Sequence, residues 1–181
     1  MSHLPLLLDD PRYLPPLRER LAAASTIGVD TEFMRERTYR AQLCLLQLGG
    51  SDWATCLDTL TLSGTDLAGI ADLLAAFPGE TIMHAARQDL EALQPLFAPP
   101  RRIFDTQIAA ALCGMPTQIG YADLVQRVLG RELDKAQTRT DWSKRPLTAA
   151  QLRYAIEDVQ YLPPLRAALL DRLDPLGRVP W

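Results

Sequence analysis

The chain has 181 residues, a formal net charge of −3 and 48% hydrophobic residues. This length fits one domain of about 100 to 200 residues, and no apolar run approaches the roughly 18 to 20 residues of a membrane span. The first residues, MSHLPLLLDD, lack the basic start and long apolar stretch of a signal peptide. The net charge excludes nucleic-acid binding through overall positive charge, so such a partner would need a local patch or bound cations.

The cysteines indicate the compartment. Cys44, Cys56 and Cys113 are an odd number, and their spacing shows neither CxxC nor a Cys/His zinc pattern. We therefore expect free thiols in a reducing cytoplasm.

Short apolar runs and helical patterns alternate along the chain, which is typical of an α/β protein. Strands are predicted at 5–10, 26–33, 41–50, 53–60, 80–86 and 102–107. Helices are predicted at 11–25, 63–77, 87–97, 107–114, 120–130, 148–162 and 163–173. The GGSD turn at 49–52 predicts a hairpin and so an antiparallel pair within a mixed sheet.

Two acids end the apolar strand TIGVDTEF. Asp30 and Glu32 are two residues apart, so their side chains leave the strand on the same face. Like charges on one face repel each other unless a positive group lies between them, and a divalent cation with oxygen ligands is the usual solution. The alternative is an exposed strand end with Arg35 and Arg37 as counter-ions.

A second pair lies on the helix TAAQLRYAIEDVQYL. Thr148 and Gln151 form a capping-box pattern that predicts the helix start. Tyr154 and Asp158 are four residues apart and so share a face of this helix. A phenol and a carboxylate one turn apart can position a water molecule. An isolated pair of this kind is more often a simple surface hydrogen bond.

The segment HAARQDL lies at a strand–helix junction and carries the fourth acid. Asp89 falls near the start of the helix, where the helix dipole also favours an ordinary acid. His84 could be a metal ligand, but a packing histidine at a strand end is the expected interpretation.

Three segments occur in a fixed order: VDTEF, HAARQDL and YAIEDV. In that order they resemble the DEDD superfamily of 3′-to-5′ exonucleases, and the tyrosine is similar to that of the DEDDy branch. The longer stretches 29–48, 104–114 and 133–162 look like the catalytic domain of ribonuclease D over most of the chain. The resemblance implies a ribonuclease H-like mixed sheet of about five strands flanked by helices, with a helical C-terminal half.

The same resemblance implies the site. Its metal-binding acids would be Asp30, Glu32, Asp89 and Asp158, and its catalytic tyrosine Tyr154. Two divalent ions, Mg²⁺ or Mn²⁺, suit such an all-oxygen site and the hydrolysis of a phosphodiester bond. We hypothesise that Asp30 bridges both ions, that Glu32 and Asp158 complete the site that activates water, and that Asp89 holds the second ion.

A basic segment precedes the Tyr154 helix. Residues 131–153 carry six basic and three acidic side chains, a local excess of +3. The candidate phosphate-binding residues are Lys135, Arg139, Lys144 and Arg145, with Arg35 and Arg37 near the first acid pair. The alternative is that these charges serve solubility. We expect Trp142 to pack the loop onto the domain.

The resemblance implies hydrolysis from the 3′ end of single-stranded nucleic acid, with nucleoside monophosphates as products and RNA favoured over DNA. The alternatives are a DNA-directed exonuclease and a non-catalytic nucleic-acid-binding module on the same fold. We also expect residues 1–181 to form a single exonuclease domain without the C-terminal HRDC domains of full-length ribonuclease D.

Overall fold

A computed structural model describes residues 4–35, 40–133 and 140–180. These residues form one six-stranded mixed sheet flanked by helices, as the sequence predicts. Its strands are β1 (Leu7–Leu8), β2 (Thr26–Met34), β3 (Gln42–Gly49), β4 (Ala54–Asp58), β5 (Glu80–Met83) and β6 (Ile103–Asp105). The spatial order is β1-β4-β3-β2-β5-β6. The pairs β2–β3 and β3–β4 are antiparallel and the other three are parallel.

The helices follow the predicted order. They are α1 (Leu14–Ala23), α2 (Gly64–Ala76), α3 (Arg87–Leu93), α4 (Thr106–Leu112), α5 (Tyr121–Leu129), α6 (Ala149–Gln160) and α7 (Leu162–Leu173). The predicted first helix begins differently, because Asp10 caps a short 3-10 turn at Pro11–Tyr13 and α1 follows it. Among the described residues, no helix is long and apolar enough to cross a membrane.

Each face of the sheet packs against its own helices because side chains alternate along the strands. On one face, Ile27, Val29 and their neighbours on β3 and β4 join α1, α2 and α3 in the largest apolar cluster. On the other face, residues of β3 and β4 pack against α6 and its preceding loop.

Two glycines set the approach of α6 to the sheet. Gly28 and Gly49 are cross-strand partners on β2 and β3. A Cβ atom on either residue would lie 2.9 Å from the carbonyl oxygen of Val159, in α6. Only glycine therefore lets the helix backbone pack this closely on the strands. The contact fixes the C-terminal end of α6 directly above Gly28 of β2 and Gly49 of β3.

The three cysteines are free, as predicted from the sequence. Cys44 and Cys56 are fully buried within the packing against α6.

Candidate active site at the end of the central strand

The first acid pair lies on β2, next to the centre of the sheet. Asp30 and Glu32 point to the same face as Gly28, toward α6. The pairing of β2 with β3 shifts register between Glu32 and Phe33. This β-bulge interrupts the hydrogen-bond ladder directly after Glu32. Asp30 and Glu32 are therefore the last residues on this face of β2 before the bulge.

Asp89 reaches the acids from the opposite side of the sheet. It is the third residue of α3, the helix that follows β5, and it is buried. The Thr31 hydroxyl donates a hydrogen bond of 2.6 Å to Asp89 Oδ1. The carboxyl groups of Asp89 and Asp30 are also in hydrogen-bonding contact. Such a contact needs a proton or a cation between the two groups, because two ionised carboxylates repel each other.

Hydrogen bonds from the turn between β5 and α3 to Asp105 fix the position of α3. Ala85 has a positive φ of 54°, an uncommon conformation for a residue with a side chain. Asp105 holds the turn, since its carboxylate accepts from the backbone N–H groups of Ala85 and Ala86 at 3.1 and 3.0 Å. The same carboxylate also caps α4 through Gln107 and Ile108. One acid thus joins the start of α3 to the end of β6.

The second predicted pair lies on α6, above β2. The capping box of Thr148 and Gln151 starts this helix, as the sequence predicts. Asp158 accepts a hydrogen bond from the Tyr154 hydroxyl, one turn earlier. The Trp142 ring lies 6.2 Å from the Tyr154 ring, centroid to centroid, and is buried. The basic loop therefore supports the tyrosine through packing, and Trp142 is a packing residue as expected.

The acids share one electrostatic environment. Burial raises the pKa of Asp30 well above its usual value, and the charges of Asp158, Asp89 and Glu32 raise it further. Burial, followed by Asp158 and Asp89, raises the pKa of Glu32 to about 9. Burial also raises the pKa of Asp158 to about 7, although the hydrogen bond from Tyr154 opposes this shift. Because each of these pKa shifts has another of the four acids among its causes, Asp30, Glu32, Asp89 and Asp158 form one cluster.

The donor set fits hard divalent cations. Burial raises the pKa values of all four carboxyl groups, and neighbouring acids raise those of Asp30, Glu32 and Asp158 further. A cation with oxygen ligands would relieve that repulsion. The ligands are not preassembled. Within residues 4–35, 40–133 and 140–180, no three His, Cys, Asp or Glu side chains are arranged to hold one ion. Asp89 accepts from Thr31 through Oδ1 only, and Asp158 accepts from Tyr154.

His84 is a packing histidine, as expected. Its Nδ1 lies 2.9 Å from the Thr106 hydroxyl and its Nε2 lies 3.1 Å from the Ile119 carbonyl oxygen. Both ring nitrogens are therefore engaged, and neither is directed at the acids.

The predicted basic residues have different settings. Arg37, Lys135 and Arg139 lie outside the described residues. Arg35 is exposed next to the site and forms an ion pair of 3.3 Å with Glu91. It lines a groove of about 630 Å³ together with Arg40. Lys144 is exposed and lies 3.6 Å from Asp141.

Arg145 corrects the sequence prediction of a phosphate-binding residue. Its guanidinium donates twice to Asp58, at 2.6 and 2.8 Å. It also donates to the backbone carbonyl oxygens of Trp142, Lys144 and Cys44. All five N–H donors of an arginine are thereby used. Arg145 holds the loop to β3 and β4 and has no donor left for a phosphate.

Three further residues of the site were missed by the sequence analysis. Thr31 lies between the two predicted acids and holds Asp89, Asp105 holds the turn before α3, and Gln47 lies opposite Asp30 on β3. Thr31 is within the quoted motif, and Asp105 follows an apolar run as an N-cap candidate. Gln47 gives a signal of its own, because it is a polar residue inside the apolar run LCLLQL.

A ribonuclease H-like sheet with four clustered acids and a tyrosine one turn from the last acid defines a nuclease-type site. A model of the 3′-5′ exonuclease domain matches residues 8–174. The chain belongs to this 3′-5′ exonuclease family, as the resemblance implied.

The relatives include ribonuclease D. The chain is 44% identical to ribonuclease D of Gluconacetobacter diazotrophicus over 178 residues, which cover 98% of this chain and 45% of that protein. The structure of Escherichia coli RNase D, described as an exoribonuclease involved in structured RNA processing, superposes with a TM-score of 0.88 and 37% identity, covering 99% of this chain and 47% of that one. The chain thus spans about half the length of these relatives.

A second similar structure contains a metal. NrnC of Brucella melitensis with bound Mg²⁺ superposes with a TM-score of 0.72 and 29% identity, covering 87% of this chain and 77% of that one. The same protein has also been solved bound to pGG.

Proposed function

We propose that this chain is a metal-dependent 3′-to-5′ exonuclease that removes nucleoside monophosphates from the 3′ end of single-stranded RNA. The observation that carries the proposal is the contact between Asp30 and Asp89 within a cluster that also contains Glu32 and Asp158. Carboxylates this close need a compensating positive charge at neutral pH. The family membership supplies the reaction class.

Asp30, Glu32, Asp89 and Asp158 would hold two divalent ions, Mg²⁺ or Mn²⁺. The number and oxygen chemistry of these side chains support this choice, because one ion in an all-oxygen site needs fewer carboxylates. When bound, two such ions supply the positive charge that activates a water molecule and stabilises the developing charge on the leaving oxygen. Asp89 would keep its bond to Thr31 through Oδ1 and offer Oδ2 to an ion, whereas Asp158 would first turn away from Tyr154.

Tyr154 would orient the attacking water. Its hydroxyl now donates to Asp158, and release of that bond makes one oxygen available to a water molecule. An ordinary phenol is a poor base at neutral pH, so Tyr154 would orient the water molecule and would not remove its proton. Packing of the Trp142 ring against Tyr154 supports that position.

The substrate strand would enter past Arg35 and Arg40. These two arginines line the groove of about 630 Å³ that lies beyond the end of β2. Their charges suit the phosphates of a single strand and carry no base specificity. Lys144, with Lys135, Arg139 and Arg37, would add to this surface. The preference for RNA rests on the likeness to ribonuclease D.

The relatives are about twice as long as this chain. We propose that residues 1–181 act as one exonuclease domain, since the sheet and all five proposed catalytic residues lie within them. Cytoplasmic location is a further proposal, supported by the three free cysteines.

The decisive experiment is a time course on single-stranded RNA labelled at its 5′ end, with Mg²⁺, Mn²⁺ or EDTA. We expect a descending ladder of products that EDTA abolishes. Cleavage within the strand, or activity that is indifferent to EDTA, would overturn the proposal. The same assay on DNA of the same sequence tests the alternative of a DNA-directed enzyme.

Two variants separate the proposed roles. Asp30→Asn removes one charge at constant shape, and we expect loss of both divalent-ion binding and activity. Tyr154→Phe keeps the ring and loses the hydroxyl, and we expect kcat to fall by about 10²-fold because the attacking water loses its orientation, with ion binding retained. If Asp30→Asn kept ion-dependent activity, the assigned site would be wrong.

A further inference from the structure

Gln47 is a buried amide beside the acid cluster. It lies on β3 directly opposite Asp30 on β2. Its side chain is fully buried, and neither its oxygen nor its nitrogen has a hydrogen-bond partner among the described residues. Buried side-chain amides are almost always hydrogen-bonded, because an unpaired one loses its bonds to water without replacement. An orphaned amide at this place therefore calls for a partner.

The position of Gln47 in the sheet leaves two candidate hydrogen-bond partners for its side chain. Cross-strand partners share a face of the sheet, with Cβ atoms about 4.5 to 5.5 Å apart. Gln47 pairs with Asp30 on one side and with Cys56 on the other. The Gly49 contact brings α6 down over the same face two residues further along β3. The amide therefore lies between a carboxyl group and a thiol, beneath a helix.

The two neighbours offer complementary chemistry. Burial raises the pKa of the Cys56 thiol, and the charges of Glu32, Asp158 and Asp30 raise it further, so the thiol keeps its proton. A protonated thiol is a weak donor, which suits the amide oxygen. The amide nitrogen carries two N–H groups and can only donate. A carboxylate is an acceptor, so Asp30 is the matching partner for the nitrogen.

We propose that Gln47 is a positioning residue that donates from Nε2 to the Asp30 carboxylate when Asp30 turns to ligate the divalent ions, while its Oε1 accepts from the Cys56 thiol. The inference rests on the proposed function. It explains why a fully buried amide can lack partners in the present arrangement, in which Asp30 contacts Asp89 instead. The hydrogen bond would hold one carboxylate oxygen and thereby the direction of the other.

The proposal predicts opposite effects on stability and ion binding. Replacing Gln47 by methionine keeps the length of the side chain and removes its unpaired polar atoms. The metal-free protein should therefore melt at the same or a higher temperature. The ion-loaded state loses one hydrogen bond to a ligand, so the dissociation constant for Mn²⁺ should rise about tenfold. A residue that only packs the core would not move ion binding and stability in opposite directions.

The test compares wild type, Gln47→Met and a control, Leu48→Met, on the full chain. Leu48 is also fully buried on β3 but points to the other face of the sheet, toward the cluster with α1. Melting is measured in EDTA and Mn²⁺ affinity by calorimetric titration. We expect weaker Mn²⁺ binding without lower metal-free stability in Gln47→Met alone. A dissociation constant equal to that of wild type in this variant overturns the role of Gln47.

A second measurement uses the unaltered protein. The side-chain NH₂ resonances of Gln47 are followed by NMR during titration with Mg²⁺. A downfield shift and slowed proton exchange at saturation support the new hydrogen bond, and an unchanged NH₂ pair excludes it. This titration decides the matter if Gln47→Met fails to fold. A wild-type protein that binds neither ion overturns the proposed function itself, which is a distinct outcome.

Discussion

The Thr31 hydroxyl donates a hydrogen bond of 2.6 Å to the Asp89 carboxylate across 58 positions of sequence. Thr31 lies between Asp30 and Glu32 but points to the other face of β2, where α3 packs. One strand, β2, therefore carries the candidate ligands Asp30 and Glu32 on one face. On its other face it carries Thr31, which holds a third candidate ligand, Asp89. This bond favours the ionised form of Asp89, since it lowers the pKa that burial raises.

We expect Thr31→Val to weaken Mn²⁺ binding by roughly 10- to 100-fold, as is typical when the support of a metal ligand is removed. Valine keeps the shape of threonine and loses the hydroxyl, so Asp89 loses a donor and its pKa rises further. Calorimetric titration with Mn²⁺ measures the effect. Thr31→Ser keeps the hydroxyl and serves as the control, with affinity near that of wild type. Equal affinities in the valine and serine variants would show that the hydroxyl does not support the ligand.

The acid cluster also predicts how the stability of the metal-free protein depends on pH. The pKa of Glu32 is about 9 and that of Asp158 about 7 in the folded chain, against roughly 4 for both in an unfolded one. Between these values the folded state binds more protons than the unfolded state, so the free energy of unfolding falls as pH rises. We expect the melting temperature in EDTA to decrease from pH 5 to pH 9. Saturating Mn²⁺ should remove most of this decrease.

The Glu32→Gln variant is the matched control for that experiment. It removes the acid whose pKa is raised to about 9, at almost constant shape. We expect a flatter pH profile in EDTA and a free energy of unfolding at pH 9 higher than wild type by roughly 1–3 kcal/mol. A wild-type profile that is flat, or that rises toward pH 9, would contradict the mutual repulsion of the acids.

The order of the elements could be predicted from the sequence because it depends on local signals. Apolar period, caps and turns identify strands and helices within a few residues. The two edge strands were predicted too long, since β1 has only Leu7–Leu8 against 5–10 and β6 only Ile103–Asp105 against 102–107. Segments this short pair because neighbouring strands offer partners, and their sequence alone gives a weak signal.

The residues that surround the acid cluster are brought there by the register of the strands and by distant contacts, so they could not be predicted from local sequence signals. That Gln47 faces Asp30 follows from the exact alignment of β2 with β3, and a slip of one residue would turn it to the other face. Arg145 was predicted to bind phosphate because charge in a loop is visible in sequence. Its partner Asp58 is 87 positions away and looked like an ordinary acid at a strand end.

The close packing of α6 on two glycines gives a further prediction. Gly49→Ala would place a Cβ atom 2.9 Å from the Val159 carbonyl oxygen, so α6 must move away from the sheet. We expect a loss of roughly 1–3 kcal/mol in the free energy of unfolding. Activity should fall more than this loss explains, because Asp158 precedes Val159 on the same helix. Denaturant unfolding and the RNA assay at low temperature measure the two effects.

The control for Gly49 is Gly69→Ala on α2, where no atom lies within 4 Å of the added Cβ. This change should stabilise the protein by about 0.5–1 kcal/mol, because alanine is the better helix residue. It should leave activity unchanged. If Gly49→Ala also left kcat unchanged, the placement of α6 would not limit the reaction.

Arg145 and Lys144 are neighbours in the basic loop and should respond to mutation in opposite ways. Arg145→Lys keeps the charge but loses the planar fork that binds Asp58, which is only 1% exposed. We expect the free energy of unfolding to fall by roughly 1–3 kcal/mol, because an ammonium group cannot replace all five hydrogen bonds of the guanidinium. Lys144→Ala removes an exposed charge whose ion pair is worth little, so stability should not change.

For RNA affinity we expect the larger effect from Lys144→Ala and the smaller one from Arg145→Lys. If Lys144 contacts a phosphate, its removal weakens binding and reduces the slope of log K against log salt concentration by about one. The slope of Arg145→Lys, measured where this variant is still folded, should equal that of wild type because all its donors bind protein atoms. A stable Arg145→Lys variant with a reduced slope would restore Arg145 as a phosphate ligand.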